Sequence, residues 1–219
     1  MDPTEHADRF GVTAEEHSLS VGRVASEVEI LSRLEHPNIV KYHGSFNEHG
    51  RLFILMELVE GASLLDFITS MGEKGRRMDE ESVWDIFLQV VLALHYIHVE
   101  KGVVHRDLTP NNILIEHDTR RAKIADFGLA KEHFSDGGGT NNGNGNYSRR
   151  HAAVMQSVVG TMPYSCPEII KHEAYGAKAD VWSLGCVLYH MLALRAPFDC
   201  SNPLGMASAI VEGRYPSLE

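Results

Sequence analysis

Residues 105–112 read His-Arg-Asp-Leu-Thr-Pro-Asn-Asn and place an acid and an amide close together in one loop. Asp107 can accept a proton from a hydroxyl nucleophile, and Asn112, five residues further on, can reach a divalent metal ion. Downstream, Asp126-Phe127-Gly128 follows a predicted strand, and its carboxylate can bind a hard cation that bridges phosphate oxygens. Phosphoryl transfer needs a base, metal ligands and in-line positioning more than covalent help. Together the two motifs indicate a phosphotransfer site.

Each motif also has a plainer interpretation. A lone Asp-Phe-Gly tripeptide is weak evidence, and an Asp–Asn pair in a loop is commonly turn chemistry. The combination is more specific, because the pattern H-R-D-L-x-x-x-N fixes five positions and a second Asp motif follows at short range.

The elements that must position these motifs are predicted from the spacing of apolar residues. Val21–Leu34 has the spacing of an amphipathic helix, which His36-Pro37 ends. Two strand-like runs follow, Ile39–Phe46 and Leu52–Val59, with hairpin chemistry at residues 47–50 between them. Gly61 is expected to break the second strand.

The rest of the chain is predicted to be mainly helical. The further expected elements are a short helix over Ser63–Ser70, a charged loop over Met71–Asp79, a long helix carrying Val83 to Ile97, strands at Ile113–Ile115 and Lys123–Ala125, and a largely buried helix over Val181–Leu194. Residues 136–146 read DGGGTNNGNGN, which predicts a flexible insert over residues 135–150.

Composition excludes some classes of protein. The chain has 219 residues, a hydrophobic fraction of 43% and a formal net charge of -10, which argues against non-specific nucleic-acid binding. Its three cysteines have no paired spacing, so a reducing compartment, the cytoplasm, is expected. The N-terminus lacks the apolar stretch of a signal peptide, and no uninterrupted apolar run approaches the roughly 18 residues of a membrane span. His95 and His98 share a helix face without an acidic metal ligand, which favours a structural or surface role.

The order of the motifs matches that of a known family. HRDLTPNN, Asp126-Phe127-Gly128 and Cys166-Pro167-Glu168 stand as the catalytic loop, metal loop and activation-segment end do in eukaryotic protein kinases, and DVWSLG from Asp180 resembles the start of their central helix. The chain resembles this family over almost its whole length. Within it, the run from Ser157 to Thr161 is similar to the NIMA-related (Nek) kinases. The resemblance implies an α+β, two-lobed fold, with residues 1–60 as small lobe and hinge and 61–219 as large lobe.

The resemblance also implies roles for single residues. Asp107 is the implied catalytic base, Asn112 and Asp126 the Mg²⁺ ligands, and Arg106 the receptor of an activation-loop phosphate. The residues implied to serve ATP are Glu27, which pairs with the ATP-binding lysine, the gatekeeper Met56, the hinge residues Glu57 and Val59, and Leu114 beneath adenine. The implied regulatory residues are Ser157 and Thr161 in the activation segment, and a spine of Leu31, Tyr42, His105 and Phe127 anchored by Asp180.

The sequence departs from the family pattern at two points. Thr109 stands where serine/threonine kinases usually place a lysine, which leaves tyrosine or dual specificity open. No G-x-G-x-x-G motif and no V-A-I-K lysine precede Glu27, so we expect a small lobe without its first three strands. The large lobe is likewise expected to lack its last helices.

Two functions remain open at this stage. The first is a protein kinase that uses ATP and Mg²⁺ to phosphorylate a Ser/Thr hydroxyl of a protein substrate, with no nucleic-acid or membrane partner and with its oligomeric state open. The second is a pseudokinase or scaffold that binds partners without catalysis. Intact Asp107, Asn112 and Asp126 favour the first, whereas the missing lysine and glycine motif favour the second for this polypeptide.

Overall fold

The structure, a computed structural model, describes residues 28–49, 51–132, 161–199 and 202–218. The helices are α1 at residues 28–32, α2 (Leu64–Glu73), α3 (Glu80–His95), α4 (Pro167–Ile170), α5 (Lys178–Ala193) and α6 (Pro203–Glu212). The strands are β1 (Tyr42–Glu48), β2 (Arg51–Met56), β3 (Gly61–Ser63), β4 (Val103–Val104), β5 (Ile113–Glu116), β6 (Ala122–Ile124) and β7 (Lys131–Glu132). Small sheets combined with longer helices give the predicted α+β class. The predicted insert at 135–150 lies outside the described residues.

Strands β1 and β2 form an antiparallel hairpin in the predicted small lobe. Both strands are shifted from their predicted bounds, and the pairing of Glu48 with Arg51 leaves a turn of two residues in place of the predicted four. His49 supplies the left-handed backbone, with a φ of 51°, that such a tight turn requires. Large apolar side chains of the hairpin are 40–48% exposed; they are Phe46, Leu52, Phe53 and Leu55.

Gly61 does not break β2, which ends earlier, but begins β3. This strand is paired with β5, and β5 is in turn paired with β6. A Cβ atom on Gly61 would lie 1.9 Å from the backbone oxygen of Ile115, so the close approach of the two strands requires glycine. The expectation of a strand break was therefore wrong, because packing between strands, and not a turn, explains this glycine.

Helix α2 is longer than predicted and takes in part of the expected loop. Ser63 caps it with a capping box, in which its hydroxyl accepts from the backbone N–H of Asp66 and Asp66 accepts from the backbone N–H of Ser63. The charged segment after Glu73 ends at Asp79, which caps α3 by accepting from the backbone N–H of Ser82.

Helix α3 crosses the core and continues into a π-helical turn, Tyr96–Glu100. Within the described residues, Glu80–Glu100 is long and apolar enough to cross a membrane by length and composition, although polar residues interrupt its apolar run. Its buried residues Val83, Ile86, Val90 and Leu94 pack into a large core cluster, together with residues of α1, α2 and α5. This packing accounts for only part of its apolar character, since Trp84, Leu88, Leu92 and Val99 are 50–69% exposed.

Candidate active site

Asp180, in the first turn of α5, holds the start of the candidate site in place. Its buried carboxylate accepts from the backbone N–H of His105 and of Arg106, both at 2.8 Å, and lies 2.7 Å from Nε2 of His98. Burial alone would raise the pKa of Asp180, but the hydrogen bond to His98 and the two backbone donors outweigh it and lower the pKa. The charged carboxylate fixes the backbone at Arg106, whose φ of 72° is left-handed.

The next residues bring the predicted base and a predicted metal ligand together. Nδ2 of Asn112 donates to the backbone oxygen of Asp107 at 2.8 Å and to Oδ2 of its carboxylate at 3.1 Å. The other carboxylate oxygen, Oδ1, is buried and has no hydrogen-bond partner among the described residues. Burial raises the pKa of Asp107, partly offset by the charge of His105 and by the Thr161 and Asn112 side chains.

His105 connects this loop to the Asp126 motif. Its ring is fully buried, lies with Nε2 3.1 Å from the backbone oxygen of Ala125, and meets the ring of Phe127 edge-on at 4.7 Å between centroids. Asp126, between these two contacts, has a left-handed φ of 59°, and its Oδ1 accepts from the backbone N–H of Gly128 at 3.1 Å. A non-glycine residue in this conformation is strained, and such strain persists where surrounding contacts fix it.

A backbone bond completes the grouping of the three predicted residues. The backbone N–H of Ala125 donates to the backbone oxygen of Asn112 at 2.9 Å. Asp126 directly follows Ala125 and therefore lies next to the turn that carries Asn112. The charge of Asp126 in turn acts to raise the pKa of Asp107. The structure therefore places Asp107 and Asn112 in contact and Asp126 next to them along the backbone, while their roles as base and metal ligands stay predictions. Thr109 is buried in the same loop, directly before the 3₁₀ turn Pro110–Asn112.

The predicted spine residues belong to, or pack on, the same core. Leu31, His105 and Phe127 are at most 1% exposed, and partly buried Tyr42 packs against their cluster. The anchoring of His105 by Asp180 is as expected.

The predicted nucleotide-binding residues lie on β2, β5 and the segment after β2. Met56 ends β2, Leu114 lies on β5, and Val59 is partly buried. The N–H of Glu57 donates to the oxygen of Lys41 at 2.8 Å, so the predicted adenine contact of this residue would have to be made by its carbonyl. Glu27 and Ser157 lie outside the described residues.

Several contacts at the site were not predicted from the sequence. The guanidinium of Arg106 lies over the ring of Tyr175 at 5.0 Å, and its buried Nε has no hydrogen-bond partner in the part of the chain that the structure describes. Thr161, expected to be regulatory, contributes through its side chain to the pKa of Asp107. His98 has the structural role that was favoured over metal binding, as a partner of Asp180.

Comparison with known proteins agrees with this geometry. The family described as the protein kinase domain matches residues 11–215. The chain belongs to the protein kinase family. This family uses ATP, a divalent metal ion and protein substrates.

Curated relatives show a narrower similarity. This kinase-family chain is 44% identical over 211 residues to human "Serine/threonine-protein kinase Nek10", which covers 96% of this chain and 17% of the relative. It is 43% identical over 204 residues to "Serine/threonine-protein kinase D1044.8" of Caenorhabditis elegans, with 93% and 19% coverage, and 37% identical over 201 residues to mouse "Serine/threonine-protein kinase Nek5", with 91% and 29% coverage. The chain spans less than a third of each of these relatives. The predicted likeness to the Nek kinases is confirmed.

Proposed function

We propose that the protein carrying this chain transfers the γ-phosphate of Mg-ATP to a serine or threonine hydroxyl of a protein substrate. The observation that carries the proposal is the pairing of Asn112 with Asp107 at 3.1 Å, on a loop whose backbone is held by buried Asp180. A binding-only scaffold has no need for a base and two metal ligands at one place.

In this proposal Asp107 is the proton acceptor for the substrate hydroxyl. Its Oδ2 accepts from Asn112, whereas Oδ1 accepts no hydrogen bond of normal geometry among the described residues, although the Thr161 side chain acts to lower the pKa of this carboxylate. A buried acceptor without a partner costs free energy unless a ligand donates to it, so a substrate hydroxyl suits this atom. The raised pKa of Asp107 strengthens it as a proton acceptor.

Asn112 and Asp126 would hold the metal ion. Among the described residues no group of three His, Cys, Asp or Glu side chains could form a complete protein site. This fits Mg²⁺, which is usually bound by one or two protein oxygens together with waters and substrate phosphates. Asn112 directs its amide nitrogen to Asp107, so its amide oxygen is the atom left for the ion. When bound, the ion would neutralise charge on the phosphate oxygens.

The type of hydroxyl acceptor is the finer part of the proposal. The relatives named above carry the words serine/threonine in their names, which supports that class. Thr109 lacks the positive charge that a lysine would supply to the transferring phosphoryl group. The alternative to test is therefore that the protein phosphorylates tyrosine as well as serine. We further propose a cytoplasmic location, supported by the sparse, unpaired cysteines.

The test is a transfer assay with the longest natural protein that contains this sequence. It would be incubated with Mg²⁺ and γ-labelled ATP against matched peptides that differ in one acceptor, Ser, Thr or Tyr. Label transfer to Ser or Thr peptides, abolished in Asp107→Asn, supports the proposal. ATP binding without transfer to any acceptor would instead support the scaffold alternative.

A further inference from the structure

Lys123 on β6 makes an ion pair that no motif of the family site includes. Its Nζ lies 2.8 Å from Oε1 and 2.9 Å from Oε2 of Glu57, the residue directly after β2. The Lys123 side chain is 6% exposed and that of Glu57 26%, so water screens this pair far less than a surface pair. Breaking one partner of a buried pair leaves an uncompensated charge, which makes such a contact costly to lose.

Glu57 is also bound on its other side. Its Oε2 accepts from the backbone N–H of Lys41 at 3.0 Å, while its own N–H donates to the oxygen of Lys41 at 2.8 Å. The same carboxylate therefore joins three chain segments: the residue before β1, the segment after β2, and β6.

Lys123 stands close in the fold to other predicted ATP contacts. It is the direct cross-strand partner of Leu114, the residue implied to lie beneath adenine, and it lies three residues before Asp126, which follows the end of β6. Directly opposed residues of an antiparallel pair share one face of the sheet. The ion pair thus ties the segment whose backbone should meet adenine to the strand pair that supports the adenine ring.

We propose that Lys123 is a positioning residue of the nucleotide pocket, whose ion pair with Glu57 sets the distance between the segment after β2 and the β5–β6 strands, and so the affinity for the adenine nucleotide. This inference rests on the proposed function, because it assigns Lys123 to the pocket of that same site. Lys123 itself does not touch the reacting atoms in this scheme.

The experiment compares Lys123→Met with the unchanged protein, in the longest natural protein that contains this sequence. Methionine keeps much of the aliphatic stem, and the ion pair already borders a cavity lined by residues 34–37, Ile39 and Lys41, so the change introduces no overpacking. Binding of metal-free ADP is measured by calorimetry, and kcat and KM for ATP by steady-state kinetics.

The affinity for ADP should fall by roughly 2- to 150-fold, the range that corresponds to measured couplings between contacting residues. KM for ATP should rise by a similar factor, with kcat at saturating ATP within about twofold, since lost ground-state binding raises KM alone. Lys123→Arg should restore most of the affinity. The control Arg214→Met removes an exposed pair, Arg214 with Glu212 at 2.6 Å, and should change neither quantity.

Unchanged ADP affinity in folded Lys123→Met would overturn the inference, as would a fall in kcat with KM unaltered. Should Lys123→Met fail to fold, Glu57→Gln provides the same test, because it removes the charge and keeps both backbone groups. The double variant should bind ADP about as weakly as either single one, and additive losses would contradict the pairing.

The two proposals fail in different ways. If the unchanged protein binds ADP but transfers no phosphate, the proposed function is wrong, and the binding comparison still decides the role of Lys123. If it transfers phosphate and Lys123→Met binds ADP normally, only the inference is wrong. A protein without any nucleotide binding would overturn both.

Discussion

The amide of Asn112 donates to both the backbone oxygen and the carboxylate of Asp107, at 2.8 and 3.1 Å. One side chain thereby fixes the predicted base and orients its own oxygen away from it. Because the buried Oδ1 of Asp107 has no such partner, the two carboxylate oxygens are not equivalent. This asymmetry leaves Oδ1, which is buried, as the carboxylate oxygen that Asn112 does not hold.

Asp107→Asn should lower turnover by at least about a hundredfold, the loss typical of an acid–base group. Asparagine has nearly the same shape but accepts a proton poorly, so folding should be preserved. Initial rates at saturating ATP measure the effect, and thermal unfolding checks the fold. Turnover close to normal in a folded variant would refute the assignment of Asp107.

Thr109→Lys should raise kcat on serine peptides several-fold and lower the ratio of tyrosine to serine phosphorylation. A lysine would supply positive charge to the transferring phosphoryl group, which the buried threonine cannot. Thr109→Met is the matched control, similar in reach but uncharged. If lysine and methionine gave the same ratio, charge at this position would not explain the acceptor preference.

The site residues could be predicted from the sequence because their motifs are short and local. Asp107 and Asn112 are five residues apart, so one loop sets their relation. The Glu57–Lys123 pair is separated by 66 residues and His98–Asp180 by 82, and no spacing rule connects such positions. They are found only when strands and helices are packed.

Strand and helix bounds were predicted less well, for a related reason. Apolar spacing identified β1, β2, α3 and α5, but only the two helices have buried residues that follow this spacing. Gly61 was assigned to a break because glycine usually signals a turn, whereas here the neighbouring strand dictates it. Close packing against a strand that is distant in the sequence cannot be predicted from the residues that surround the glycine.

Gly61→Ala should therefore lower the free energy of unfolding by about 1–3 kcal/mol, the cost of overpacking. The new methyl group would lie 1.9 Å from the backbone oxygen of Ile115, so β3 or β5 has to move. Gly72→Ala in α2 is the control, since nothing lies within 4 Å of its Cβ position and alanine favours helix. Urea denaturation of both variants measures the difference. Equal stability of the two would contradict the close approach.

Stability should fall as the pH drops below about 6.5, the ordinary pKa of histidine. Burial lowers the pKa of His190, against the raising effect of Asp199, and Nδ1 of His190 lies 2.7 Å from the hydroxyl of Tyr164. The unfolded chain then binds a proton that the folded one resists, so acid favours unfolding until the folded pKa is reached.

In His190→Gln the free energy of unfolding should decline less steeply between pH 7 and 5.5, by up to about 1.4 kcal/mol per pH unit. Burial also lowers the pKa of His36 and His105, so part of the slope should remain. Exposed His117→Gln is the control and should retain the full slope. An unaltered slope in His190→Gln would show that this histidine does not contribute.

Phosphorylation of Ser157 should switch the protein on by docking its phosphate on Arg106, as the position of Ser157 four residues before Thr161 suggests. Arg106, the residue expected to bind the phosphate, is among the described residues. Its guanidinium lies on the ring of Tyr175, and its buried Nε has no hydrogen-bond partner among those residues. A phosphoserine brings about -1.5 to -2 charges and three acceptor oxygens, enough for a charge-assisted pair with a guanidinium.

Ser157→Ala should lower kcat strongly, and Arg106→Ala should add little to that loss, because residues that act as one unit are not additive. Steady-state rates of the two single variants and the double variant give the coupling. Fully additive losses would show that Ser157 and Arg106 act separately.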